Sequence, residues 1–282
     1  MPVHPPPPTD PAGLVDAWAR TVRNVVDLGR TARPGDAEKP TDCPGWTVLD
    51  QVAHVAGAEA MTDGEPRPEV DVSHHAHVRH EFGALMESYV EARRGRSLEE
   101  VLDELEERLE ARLAFHAADT GWESAPVRGP FGPTTWPDFL RVRTFDVWVH
   151  EQDLREALGR PGGLEGAAAS IAMTSLFDAL PRIVAKDSEV PPGHAVVLEL
   201  TGPTVGRAGV RVEEREGRAR GIPLFTGEPD EHPDVVATTL TMSTQVAGRL
   251  LAGRRPPEEL HVVVHGDEEV AARVLASLAI TP

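Results

Sequence analysis

Phe139-Leu140-Arg141-Val142-Arg143-Thr144-Phe145-Asp146-Val147-Trp148-Val149-His150-Glu151-Gln152-Asp153-Leu154 is the stretch on which the fold turns. Thr135 and Asp138 ahead of it have the spacing of a helix cap. Gly159 after Leu158 stops the helix, and Arg155 near its end suits the helix dipole. At 100° per residue Asp146, His150 and Asp153 share one stripe, with Arg143 a turn earlier at its edge. Phe139, Leu140, Val142, Phe145, Val147, Trp148, Val149, Leu154 and Leu158 cover nearly all the rest. A helix apolar on most sides lies inside a protein, and its polar stripe goes in with it, so each charge there needs a partner. Asp146 and His150, four residues apart, can present a carboxylate oxygen and an imidazole nitrogen to one point, as helix-borne metal sites do. The same pair also reads as an Asp–His hydrogen bond or as an ion-pair network centred on Arg143.

Toward the N-terminus the pattern predicts more helices of the same kind. Leu14, Ala17, Trp18, Val22 and Val25 recur at three- and four-residue intervals, giving a helix from Asp10 to Leu28 that Gly29 ends. Pro44-Gly45 marks a turn, after which Thr47 and Asp50 cap a helix over Val48 to Thr62. A third helix is predicted around Val78 to Arg93. A fourth starts at a Ser97 cap with Glu100 and runs to about Ala117 on the repeat Leu98, Leu102, Leu105, Leu109, Leu113. Gly121 to Pro133 reads as a loop, and a further helix spans Ala167 to Val184. Residues 1–9, with five prolines, read as a disordered tail. Residues 10–190 read as a helical bundle.

Pro191-Pro192-Gly193 reads as a linker. Beyond it come β-branched runs at Ala195 to Leu200, Ala208 to Val212, Val235 to Leu240 and His261 to Val264, with helices at Ser243 to Leu251 and Glu268 to Leu278. Residues 191–282 are thus a small α+β domain, and the fold class of the whole is α+β. A length of 282 residues suits two domains. A net charge of −18 repels phosphate backbones and anionic lipid surfaces, which argues against nucleic acid and membrane as partners. No stretch approaches eighteen consecutive apolar residues. With Cys43 alone and no secretory pattern at Met1 to Pro5, the expected compartment is the cytoplasm. Oligomeric state has no signature in the sequence.

Other candidates weigh less. His54 lies off the apolar face of the second helix beside Gly57, Ala58 and Met61, where small neighbours leave room for a ligand, although a lone histidine there also reads as solvated. His74, His75, His77 and His80 form a dense group, read as a solvated loop. Cys43 has no neighbouring base or cation in sequence and reads as structural. There is no phosphate-binding glycine loop and no nucleophile elbow.

Thr41-Asp42-Cys43-Pro44-Gly45-Trp46-Thr47-Val48, followed by Val52-Ala53-His54-Val55, resembles the opening signature of the mycothiol-dependent maleylpyruvate isomerase family, of actinobacterial type. Phe145-Asp146-Val147-Trp148-Val149-His150-Glu151-Gln152-Asp153-Leu154-Arg155 is similar to its second signature. Gly253-Arg254 and Val264-His265-Gly266-Asp267 resemble its appended sterol-carrier-like α+β domain. The resemblance implies an N-terminal DinB-like four-helix-type bundle in which His54, Asp146 and His150 hold a divalent metal. Zinc suits that donor set with an open fourth position.

It further implies mycothiol as co-substrate, its sulfur held as thiolate at the metal and adding to a small electrophile. Two outcomes are open, isomerisation by addition, rotation and elimination, or S-transfer. Arg143 and Asp153 are expected to support the ligands or orient the co-substrate. In one departure from the family pattern, Asp146 stands where the isomerase has glutamate, one methylene longer. The competing class is a non-catalytic metal- or small-ligand-binding module.

Overall fold

The computed structural model describes residues 3–118, 121–129, 132–225 and 236–281. The chain divides into two compact units, residues 8–163 and residues 1–7 with 164–282.

The first unit is helical: α1 (Pro11–Arg30), α2 (Val48–Thr62), α3 (Glu81–Glu91), α4 (Leu98–Ala117) and α5 (Trp136–Leu158). Local chemistry sets most of their ends. Thr47 and Asp50 form a reciprocal capping box on α2, Ser97 and Glu100 form one on α4, and Gly159 closes α5. Gly29 does not end α1, which runs on to Arg30. It is instead a point of close approach, since a Cβ there would meet the Leu102 side chain of α4 at 2.7 Å. α3 begins three residues later than its apolar pattern suggests, because the His80 ring accepts from Gly83 N (2.9 Å) and caps the helix there. α1 packs on α4 and α5, and α2 on α3, α4 and α5. Leu14, Trp18, Val52, Leu102, Leu105, Trp148 and Leu154 fill the space between them. The stretch expected as a loop holds a 3₁₀ turn (Trp122–Ser124) and a hairpin of β1 (Pro126–Gly129) and β2 (Gly132–Thr135); residues 130–131 lie outside the described residues.

The second unit is α+β, as expected. It contains α6 (Ala167–Arg182), which continues into one π-helical turn (Ile183–Asp187), then β3 (His194–Thr201), β4 (Val205–Arg215), β5 (Arg218–Leu224), β6 (Val236–Met242), α7 (Thr244–Leu251), β7 (Val263–His265) and α8 (Glu268–Ala276). The sheet order is β5-β4-β3-β6-β7, with β3 and β6 parallel and the other pairs antiparallel. Val235, expected to open a strand, lies outside the described residues. β5 was not foreseen: Gly221 and Pro223 interrupt its pattern, which an edge strand tolerates.

α6 belongs with this sheet and not with the bundle, so the units part at residues 163/164 instead of near 190. Leu176, Leu180, Ile183 and Val184 of this segment are fully buried. Its approach to β5 is so close that a Cβ at Gly221 would fall 2.3 Å from the Pro181 carbonyl oxygen. Ala167–Asp187 is also long and apolar enough by length and composition to cross a membrane, although its apolar run is interrupted, and half of its most apolar window is buried in the fold. The proline-rich start is likewise attached to this unit. Val3 is buried, and His4 exchanges backbone hydrogen bonds with Val205 at 2.7 and 3.0 Å, on the side of β4 that β5 leaves uncovered. Val3 supplies the apolar anchor that the prolines lack. Met1 and Pro2 lie outside the described residues.

Candidate metal centre

His54 on α2 and Asp146 and His150 on α5 meet where those helices pack. The two imidazole rings lie 4.2 Å apart between centroids. His54 Nε2 is 3.4 Å from Asp146 Oδ2, and His150 Nε2 is 3.6 Å from Asp146 Oδ1. One donor atom from each residue lies within 4.8 Å of the others. Donors bound tetrahedrally to one zinc ion at about 2.1 Å stand about 3.4 Å from each other, so the three side chains fit a single cation without large movement. Both histidines are buried, whereas the Asp146 side chain keeps 31% of its surface, so the cluster opens to solvent on the carboxylate side. His54 Nδ1 is buried with no hydrogen-bond partner among the described residues.

Neighbouring groups orient these three. Gln51, one turn before His54, accepts a hydrogen bond from His150 Nδ1 at 2.6 Å. The amide is fixed in that sense because its Nε2 donates to Thr41 Oγ1 (2.7 Å), whose own hydroxyl donates to the Trp46 carbonyl (2.9 Å). With its proton on Nδ1, His150 turns the Nε2 lone pair toward Asp146. Asp153 is fully buried with Oδ2 3.8 Å from His150 Nδ1.

Arg143 pairs with Asp146 through Nη1 and with the buried Glu59 through Nε (3.2 Å) and Nη2 (2.8 Å), and Glu59 also accepts from Trp18 Nε1 at 3.3 Å. Burial alone would raise the Asp146 carboxyl. The facing His54 and Arg143, with His150 beside them, outweigh it and hold the group well below the usual carboxylate range.

The Trp46 indole forms a wall, 5.0 Å from the His54 ring and 5.6 Å from that of His150. Its N–H donates to Glu87 Oε2 (2.8 Å), a buried carboxylate that also meets His77 Nε2 at 2.9 Å and Arg94 at 2.6 Å. The histidine-rich segment is therefore not a freely solvated loop. His75 and His77 dock on Glu87 and Glu91, and His80 caps α3. His75, His77 and Glu87 could hold a cation by distance alone, but the Arg94 guanidinium already stands among these carboxylates. Cys43 is half-buried in the turn before Trp46.

Gln51, Glu59 and Glu87 were missed from the sequence. Gln51 alone left a signal, sharing a face with His54 three residues on; the two glutamates look like ordinary helix-surface acids until the helices pack.

A helical unit that gathers two imidazoles and one carboxylate from facing helices, with a solvent-open side, has the donor set of a bundle metal site. Residues 18–155 match the family model of the mycothiol maleylpyruvate isomerase N-terminal domain. The helical unit thus carries the N-terminal domain of that family. The fold is shared with a solved mycothiol-dependent maleylpyruvate isomerase, at 16% identity and a TM-score of 0.54 over 91% of this chain and 93% of the other. A solved histidine-to-alanine mutant of such an isomerase gives the same identity and coverage with a TM-score of 0.53. No curated protein matches the chain in sequence.

Proposed function

We propose that this chain is a metal-dependent, mycothiol-using enzyme acting on a small electrophile by thiol addition with isomerisation or by S-transfer, with His54, Asp146 and His150 as the ligands of a divalent metal, zinc in the first instance. The observation that supports it most is the convergence of these three side chains at ligand spacing within a unit of this family. A cation held there supplies the positive charge that keeps a bound thiol in its thiolate form at neutral pH.

The remaining work falls to the chain. His54 and His150 direct imidazole nitrogens inward, the latter held by Gln51. Arg143 takes up part of the Asp146 charge, and Glu59 fixes Arg143 from behind. Trp46 shields one side of the histidine pair, while the exposed part of Asp146 marks where the thiol and the electrophile enter. Asp153 stands behind His150, 3.8 Å from its Nδ1, as a supporting residue.

The Arg143–Asp146 ion pair favours a second reading, because it satisfies the shorter carboxylate without any metal and suits a non-catalytic binding module. Metal analysis of the purified protein, followed by calorimetric titration of metal-loaded and metal-stripped protein with mycothiol, separates the two. The enzyme reading expects about one equivalent of metal and mycothiol binding only when it is present. Its second arm is adduct or isomer formation with maleylpyruvate or other electrophiles. Protein that binds neither metal nor mycothiol returns the centre to an ion-pair network.

A further inference from the structure

Residues 63–80 join α2 to α3 without helix or strand, yet they are tied down. Val72 is buried, and His75 and His77 stand on the Glu87 and Glu91 carboxylates of α3. His77 makes the closest fit. Its ring lies over Gly45, where a Cβ would fall 2.2 Å from Nδ1, and Gly45 itself holds φ at +78°, so the turn ahead of Trp46 receives the ring only as a glycine. On its other side His77 Nε2 meets Glu87 Oε2 at 2.9 Å, the same oxygen that accepts from Trp46 Nε1 at 2.8 Å.

The Glu87 side chain is only 1% exposed. Burial raises its carboxyl, but hydrogen bonds from His77 and Trp46 and the charge of Arg94 prevail and bring it below its usual value. It is therefore an acceptor only at neutral pH, and both ring N–H groups donate to it. Arg94 Nη1 lies 2.6 Å from the other oxygen, while Arg94 Nε donates to Asp50 Oδ1 at 2.9 Å in the cap of α2. That anchor fixes the carboxylate from behind.

A tryptophan in a turn has two side-chain torsions to set, and apolar contact with the imidazoles of His54 and His150 leaves the indole free to slide. A fixed acceptor for its N–H removes that freedom. We propose that Glu87 and His77 are positioning residues for the His54–His150 pair: they act through Trp46, holding its indole against both imidazoles so that water and ligands approach from the Asp146 side. What this brace does to a bound metal rests on the function proposed above, whereas its hold on the two rings does not.

Full-length, metal-stripped protein is treated with diethyl pyrocarbonate, and modification of each histidine is followed by peptide mass spectrometry. His77→Phe keeps a ring on Gly45 and removes the donor to Glu87. It should speed modification of His54 and His150 about fivefold, the weight of one hydrogen bond. His77→Gln, whose amide can donate in place of the ring, should hold the wild-type rate. Trp46→Phe should act in the same direction as His77→Phe, and the two combined should exceed Trp46→Phe by nothing, because both work on one contact. His116, buried among aromatic rings at the end of α4, reports any general loosening.

An unchanged rate in His77→Phe, failure of His77→Gln to restore it, additive effects in the double variant, or a rise shared equally by His116 would each overturn the assignment. If His77→Phe does not fold by circular dichroism, Trp46→Phe decides, and unchanged rates at His54 and His150 in that variant would overturn it as well. With zinc bound, His77→Phe should release the metal to a chelator about fivefold faster than wild type. A wild type that takes up no zinc refutes the metal reading and leaves the labelling result to decide the brace.

Discussion

The Gln51 carbonyl oxygen accepts a 2.6 Å hydrogen bond from His150 Nδ1, so a residue of α2 sets the tautomer of a histidine on α5. Thr41 holds the Gln51 amide in that sense. Partners of this kind on a ligating imidazole are worth about 10–100-fold in metal affinity. Gln51→Leu should therefore weaken zinc binding by that factor, measured against a competing chelator, with the helical circular dichroism unchanged. An unaltered affinity would mean that His150 needs no help or binds no metal.

The three proposed ligands give a sharper contrast. His54→Ala and His150→Ala should each leave the protein largely metal-free after dialysis, while Asp146→Glu, which restores the family's longer carboxylate, should keep or raise the bound metal. Melting curves must accompany the analysis, because an Asp146 deprived of a histidine can itself unsettle α5. If Asp146→Glu strips the metal as thoroughly as the alanine variants do, the carboxylate is not acting as a ligand.

Glu59 is 2% exposed and shares its charge with Arg143, itself buried. Glu59→Ala leaves that guanidinium short of a partner and should cost about 3–5 kcal/mol in urea unfolding, the usual penalty for breaking a buried pair from one side. Replacing both, by Glu59→Leu with Arg143→Met, should recover much of the loss. A single mutant within about 0.5 kcal/mol of wild type would show that Asp146 alone compensates Arg143.

Acid should weaken the bundle through Glu104. Burial raises its carboxyl, but hydrogen bonds and charge from Arg93, Arg96 and Arg108 prevail and bring its pKa down to about 2. A depressed folded-state pKa means stability that is fully present above the unfolded value near 4.5 and is lost as pH falls toward 2. Allowing for solvent screening, the contribution is about 2 kcal/mol. Glu104→Gln should thus lower stability by that amount at pH 7, and the gap to wild type should narrow between pH 4.5 and 2. A gap that stays constant with pH would assign the loss to packing.

The proline-rich start should matter through one residue. Val3→Asp is expected to cost about 2 kcal/mol by placing a charge in an apolar seat, while Pro6→Ala, at an exposed position, should stay within about 0.5 kcal/mol. Equal, negligible effects would restore the picture of an unattached tail.

These cases mark where the sequence is readable. Thr47 with Asp50, Ser97 with Glu100 and the stripe Asp146, His150, Asp153 are decided within one or two helical turns, and the reading of each matches the structure. His54 gave no such local sign and was picked out by the signature around it. α6 was misassigned to the bundle because its apolar periodicity says that one face is buried without saying what buries it. β5 was lost because its place at the sheet edge excuses the glycine and proline that would disqualify an inner strand. Gln51, Glu59 and Glu87 escaped because each finds its decisive partner on another segment.

The bridge between His4 and Val205 also orders events in time. During synthesis Val3 and His4 leave the ribosome ahead of the helical unit, and the whole of that unit follows before β4 exists to receive them. Domains fold largely as they emerge, so the bundle can complete itself while the opening residues are still loose. Val3 and His4 are then among the last residues to find their place, and a nascent chain halted before residue 205 would hold His54, Asp146 and His150 together while Val3 and His4 stay open to proteases.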